Sequence, residues 1–343
     1  MAGPSAGHVQ GPGPAARGGP ARDPGEDAQG GLLVSEVSCA RCEFAPLEAV
    51  LLHRPGPEVE AAADPAAVLY ERPIVARTMD EEYEGLARLF VSLGVKTHWI
   101  WPELGPKDDR LALYNMMYCR DLFFMTPRGA ILSRMASPVR RGEVAHARKA
   151  LQTLGIPILH EVGGEGTFEG ADALWVADDL VAVGVGKRTN SAAFAQLTVV
   201  LAADKVRCAS LPPPERTQHL LGGVQFVDRG RVLVRTGIVD DVVTAFLRGR
   251  DLEVIAVPES TEVRTRQAMN VVVVAPGALV MSADCPETRA LYENAGLRVA
   301  GEAPISQLIN GGGGLACATG ILSRSPSPAD AGPPPRSGGG GAT

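Results

Sequence analysis

A pattern of hairpin, helix and strand returns about every 50 residues along this chain, and few folds accommodate it. Residues 47–53 read as a strand, 80–93 as a helix with apolar side chains at helical spacing, and 95–101 as a second strand. Strands at 122–126 and 130–133 flank the turn Pro127-Arg128-Gly129, and a helix over 143–154 and a strand over 156–159 follow. The order returns with strands at 173–176 and 181–184, a helix from Ser191 and a strand at Val206. It returns again with 224–227, 232–234, a helix from Asp240 and 252–256, and then with 271–274, 278–281, a helix over 285–295 and 297–299. Each unit alone leaves one face of a small sheet bare, so neighbours must cover one another. Some five such α/β units can close into a ring, which removes exposed ends and gathers loops from every unit at one place. A doubly wound sheet competes, but a hairpin inside every unit fits it poorly.

The chain's 343 residues suffice for one large domain or two ordinary ones. Two arms frame the folded part. Residues 1–30 are Gly, Pro, Ala and charge, and 324–343 carry Ser-Pro, Pro and Gly runs, so both are expected to lack order around a single domain at 31–323. The formal net charge of −6 comes with scattered Lys and Arg, which argues against nucleic acid and suits a small cationic substrate. No stretch reads as a secretory signal or a membrane span, so no membrane partner is expected. Six widely spread cysteines point to reduced thiols in a cytoplasmic protein. Cys39-Ala-Arg-Cys42 has metal-site spacing, but no second such pair completes it, and neither a metal nor a cofactor is expected. Homo-oligomerisation is left open.

Several polar clusters sit at matching ends of the units. Asn310-Gly-Gly-Gly-Gly-Leu-Ala-Cys317-Ala-Thr-Gly320 offers a glycine run that lets backbone N–H groups crowd a ligand and lets a loop move, then a cysteine among small residues. It reads as a nucleophile or as a buried cysteine in a linker. Asn115-Met-Met-Tyr-Cys-Arg-Asp121 precedes a hairpin, and its Arg-Asp pair also reads as a structural salt bridge. In Phe168-Glu169-Gly-Ala-Asp172 the two acids either cap backbone groups or face a cation. Asn190 suits a helix cap, whereas Arg188 has no such local duty and could clamp a carboxylate. His219 opens the next unit; His53, His98 and His160, on or beside apolar strands, read as structural. Two carboxylate sites, a guanidinium clamp, one His and one Cys on successive units describe a pocket for a planar cation attacked by sulfur.

Over roughly residues 46–322 the sequence resembles the guanidine-modifying superfamily, the penteins: arginine deiminases, dimethylargininases and amidinotransferases. The residues that carry it are His53-Arg-Pro-Gly56, Asn115 with Arg120-Asp121, Phe168 to Asp172, Arg188-Thr-Asn190, His219-Leu, Asn270 and the run from Gly311 to Cys317. The resemblance implies a five-bladed, pseudo-symmetric α/β propeller of ββαβ units with the site in its central channel. It implies Cys317 as nucleophile, His219 as general acid and base, and Glu169 and Asp121 holding the guanidinium, with Asp172 beside Glu169. Asn115 and Arg188 match positions that bind the amino-acid end of the substrate, helped by Arg140 or Arg141. Arginine deiminases and amidinotransferases usually place an Asp two residues after the histidine. Leu221 stands there, as in dimethylargininase-like members, and inclines the resemblance to that side. The expected activity is hydrolysis of a C–N bond of an arginine-like guanidine, with or without N-methyl groups, through a covalent S-alkylthiouronium. The alternatives are an amidinotransferase, an arginine dihydrolase giving ornithine, and a non-catalytic binding protein of this fold.

Overall fold

The computed structural model describes residues 41–100 and 113–325, together with Gly3. Both expected arms lie outside the described residues, Gly3 and the last two residues of that range excepted. Among the described residues the strands form five three-stranded sheets. β1 (Leu47–His53) and β2 (Lys96–Ile100) belong to the first, β3 (Phe123–Thr126), β4 (Gly129–Leu132) and β5 (Ile158–Glu161) to the second. β6 (Ala173–Ala177), β7 (Leu180–Gly184) and β8 (Arg207–Leu211) form the third, and β9 (Val224–Phe226), β10 (Arg231–Arg235) and β11 (Glu253–Val257) the fourth. β12 (Val272–Ala275), β13 (Ala278–Ser282) and β14 (Arg298–Ala303) form the fifth, and β15 (Gly320–Arg324) pairs with β1. In every sheet the middle strand runs antiparallel to one neighbour and parallel to the other.

A parallel pair needs a crossover, and a helix supplies each one. These are α1 (Ala76–Ser92), α2 (Glu143–Thr153), α3 (Ser191–Ala202), α4 (Asp241–Arg248) and α6 (Pro286–Asn294). The middle strands are the apolar runs of the sequence, and β4, β7 and β13 are buried along their whole length. Third strands such as β2 and β8 are partly exposed, and their sequences mix polar with apolar residues. Asn190 caps α3 by accepting from Ala193 N (3.0 Å), as its sequence position predicts. α1 starts four residues before the expected position. The carboxylate of Glu60 accepts from Ala76 N (2.6 Å), a cap from outside the helix that leaves no local signature.

The first sheet differs from the expectation. Its hairpin partner comes from the other end of the chain: β15 pairs antiparallel with β1, from Leu47 opposite Arg324 to Leu51 opposite Gly320. β15 runs to Arg324, one residue into the segment expected as a tail, and Arg324 is buried. The short helices α5 (Thr261–Thr265), α7 (Ser306–Asn310) and α8 (Leu315–Ala318) have no counterpart in the sequence reading. No helix among the described residues is long and apolar enough to cross a membrane.

Candidate active site

The site is built from the turns that lead into β3, β6, β9, β12 and β15. Asp121 ends a 3-10 turn (Cys119–Asp121), Glu169 caps another (Gly170–Asp172), and His219 caps a third (Leu220–Gly222). Asn270 precedes β12, and Cys317 lies on the single turn of α8 before β15. These turns approach one another closely. A Cβ on Gly170 would stand 2.2 Å from Phe123 O and 2.7 Å from Arg120 O, so only glycine lets Glu169 sit beside Asp121.

His219 links two of the acids. Its Nε2 lies 2.7 Å from Glu169 Oε2, and its Nδ1 lies 3.6 Å from Asp121 Oδ1. All three side chains are buried. Burial favours the neutral ring, but Asp121, the Glu169 hydrogen bond and Asp172 outweigh it, and the His219 pKa is raised. Burial likewise works to raise Glu169, yet His219, Arg140 and Arg188 hold it well below the usual carboxylate range. The pair is therefore an imidazolium on a carboxylate, with Nε2 donating to Glu169 and Nδ1 facing Asp121 Oδ1 beyond hydrogen-bond distance.

Cys317 is half-buried, and Asn270 organises it. Asn270 Oδ1 accepts from Ala316 N (2.7 Å) and Cys317 N (3.2 Å), while its Nδ2 donates to Cys317 Sγ (3.2 Å). Burial and then the Asp121 charge push the thiol up to about 11, against the backbone hydrogen bond at Gly314 and that of Asn270. Asp121 thus acts electrostatically on both the cysteine and the histidine.

The other expected residues have more varied duties. Arg188 reaches the cluster, with Nη1 3.5 Å from Glu169 Oε1 and Nη2 donating to Gln218 Oε1. Asp172 does the capping that its position allowed: Oδ1 accepts from Leu220 N (2.9 Å) and Oδ2 from Thr189 Oγ1 (2.7 Å), with burial pushing it up to about 6. Asn115 donates from Nδ2 to Val68 O (2.8 Å), so its amide pins a loop of the first unit. Arg140 is no exposed clamp. It is buried, and donates to Asp121 Oδ2 (2.6 Å), Glu143 Oε2 (2.9 Å) and Asn115 O (3.2 Å), with Glu169 Oε2 at 3.7 Å. Arg141 is exposed. Leu221 is buried. In this arrangement Asp172, Asn115 and Arg140 brace the site through partners inside the protein.

The glycine run also serves packing. A Cβ on Gly313 would lie 2.3 Å from the Tyr118 ring, and one on Gly314 2.7 Å from Asn270 Cβ. Gly311, Gly313 and Gly314 are buried, which is a different use from a loop that moves. Sequence reasoning missed Glu143, which burial pushes up to about 7 despite Arg140, and Thr189. The spacing Arg140-x-x-Glu143 on the turn into α2 was the available signal. Asp121, Glu169 and His219 also bring one donor atom each to within 4.8 Å of one another, a spacing that suits a metal ion. A protonated imidazole has no lone pair to give a metal ion, and Arg140 already occupies Asp121 Oδ2.

The arginine deiminase family profile matches residues 112–249. An uncharacterized protein of Aeropyrum pernix is 27% identical over 217 residues, covering 63% of this chain and 74% of that one. The dimethylarginine dimethylaminohydrolase of Pseudomonas aeruginosa is 25% identical over 212 residues, covering 62% and 78%. Among solved structures, the inosamine-phosphate amidinotransferase of Streptomyces griseus superposes with a TM-score of 0.67 at 20% identity, covering 85% of this chain and 98% of its own.

Proposed function

Because the chain belongs to the guanidine-modifying pentein superfamily, of the dimethylargininase, arginine deiminase and amidinotransferase type, we propose that it cleaves a C–N bond of an arginine-like guanidine by covalent catalysis on Cys317. In this reading the five sheets are the blades of a closed propeller, and the pre-strand turns face its centre. One observation carries the proposal. Asp121 Oδ1 is buried without a hydrogen-bond partner, beside His219 and electrostatically coupled to Cys317. A buried orphaned acceptor costs about 1–3 kcal/mol, which a planar N–H cation would recover.

The guanidinium donates to Asp121 Oδ1 and lies against the thiol. Its charge opposes the terms that raise the Cys317 pKa, so the thiolate forms when substrate arrives. Sulfur attacks the central carbon to give a tetrahedral adduct. His219, protonated in the resting site, gives its proton to the departing amine as the C–N bond breaks, leaving an S-alkylthiouronium. The neutral ring, held by Glu169, then takes a proton from water as the oxygen attacks, and collapse returns the thiol. Arg188 is the cation best placed for the substrate carboxylate, since Arg140 is buried among acids. Leu221, in place of a third acid near the cation, favours a substituted guanidine over free arginine. An amine in place of water would make the same chemistry a transfer. The superposition on an amidinotransferase keeps that second reading open.

Incubation with arginine, N-methylated arginines and arginine plus glycine separates these outcomes through citrulline, methylamine, ammonia and new guanidino products. A covalent adduct on the Cys317 peptide is expected, and His219→Ala should lose about 10²–10⁴-fold in turnover. No adduct with any guanidine, or a His219→Ala variant near full activity, would overturn the proposal.

A further inference from the structure

Glu143, the first residue of α2, is fully buried beside the site, and no step of the proposed chemistry uses it. Its Oε2 accepts from Arg140 Nε (2.9 Å) and lies 2.9 Å from Arg140 Nη2, while its Oε1 has no hydrogen-bond partner. Arg140 Nη2 also donates to Asn115 O (3.2 Å). The Nε–Nη2 edge of the guanidinium is therefore occupied, and Nη1 is the nitrogen that reaches the acids of the site. Nη1 donates to Asp121 Oδ2 (2.6 Å) and lies 3.7 Å from Glu169 Oε2.

A guanidinium beside a carboxylate favours a two-pronged pairing that uses both oxygens. Asp121 receives a single prong. Its Oδ1 stays buried without a hydrogen-bond partner, 3.6 Å from His219 Nδ1. Arg140 is 2% exposed, so solvent screens little of its attraction to Asp121 and Glu169. The charged bond to Glu143, about twice as strong as one to a neutral acceptor, holds the Nε–Nη2 edge against that pull.

We propose that Glu143 is a positioning residue for the guanidine chemistry: it holds one edge of Arg140 and so keeps Asp121 Oδ1 open for the substrate cation. This rests on the function proposed above and deepens it. An Arg140 released by Glu143 would close on both oxygens of Asp121, and the chain's own guanidinium would then occupy the acceptor that the substrate needs.

The test follows alkylation of Cys317 by iodoacetamide at about pH 8 in the full-length protein, with guanidinium chloride exchanged for sodium chloride at equal ionic strength. Guanidinium ion should accelerate the reaction saturably, since a cation beside Asp121 favours the thiolate. In Glu143→Gln, which keeps the shape and one acceptor, half-saturation should rise about tenfold because Arg140 competes for Oδ1. A merely structural Glu143 would change the melting temperature and leave half-saturation where it was. In the double variant Arg140→Met/Glu143→Met the competitor is gone, and half-saturation should fall to that of the unaltered protein or below. Apolar side chains of similar volume commonly replace a buried ion pair without loss of stability, so the double variant decides even where the single one does not fold. An unchanged half-saturation in Glu143→Gln, or one above the unaltered protein in the double variant, overturns the inference alone. No guanidinium response in the unaltered protein overturns the proposed function and this inference with it.

Discussion

Cys317 carries a thiol pushed up to about 11 by burial and by the charge of Asp121, so at neutral pH the resting species is the protonated sulfur. The sign follows directly. The reactive thiolate is scarce well below 11 and grows about tenfold per pH unit until the pKa is approached. Alkylation of Cys317 by iodoacetamide, followed by mass spectrometry of its peptide, should therefore accelerate throughout the range from pH 7 to 10. Adding a low concentration of guanidinium ion should move that profile to lower pH, because a cation next to Asp121 favours the thiolate. A rate already flat at pH 7, or indifferent to the cation, would contradict the electrostatic account. At this scale residue identity was informative where a polar side chain stood without a local duty, as for Glu169, Arg188, His219 and Cys317. It said less where the contact is non-local. Asp172 spends its oxygens on Leu220 N and Thr189, and Asn115 spends its amide on Val68 O, partners 48, 17 and 47 residues away that no motif announces.

The turn before β15 shows the same division at the scale of elements. Four glycines read as freedom for a loop, and the structure uses three of them as space. Tyr118 lies over Gly311 and Gly313, and Asn270 over Gly314, which fixes the one-turn helix that bears Cys317. Gly313→Ala should therefore destabilise the protein by about 1–3 kcal/mol, since the new methyl would meet a buried ring. Gly85 offers the opposite case within α1. Nothing lies within 4 Å of its added Cβ, so Gly85→Ala should stabilise by about 0.5–1 kcal/mol through helix propensity alone. Thermal melts of the two variants check both, and shifts of the same sign would refute the packing argument. Periodicity found the five crossover helices and the hairpins, because amphipathic faces and apolar middle strands leave a local record. The three short helices leave none, because their few residues are held by contacts to other elements. Ser306 N and Gln307 N at the start of α7, for example, are capped by the carboxylate of Glu82 on α1 (2.6 and 3.0 Å).

At the scale of the whole molecule, the first sheet is completed by the chain's other end. β15 supplies the strand that each other sheet obtains from its own hairpin, and Arg324 at its end donates to Ala45 O and Val273 O. Truncation after Thr319 should thus remove more than one edge strand. β1 loses its antiparallel partner, and the cooperative melt should broaden or vanish, with fast amide exchange appearing first in β1. A truncated protein that melts as sharply as the full chain would show that the closure is dispensable.

What the sequence determined by itself is the unit and its number of repeats, because strand and helix periodicity, turn residues and caps are settled by neighbours a few positions apart. It also singled out Asp121, Glu169, His219 and Cys317, which the fold brings to neighbouring turns. Tertiary structure alone decided that β15 joins β1, that Arg140 is buried among acids, that Asn270 holds the cysteine, and that Glu43 pairs with Arg120. Each of those is a meeting of groups far apart in the chain, and its energy depends on burial and charge at the meeting point, which no local pattern encodes.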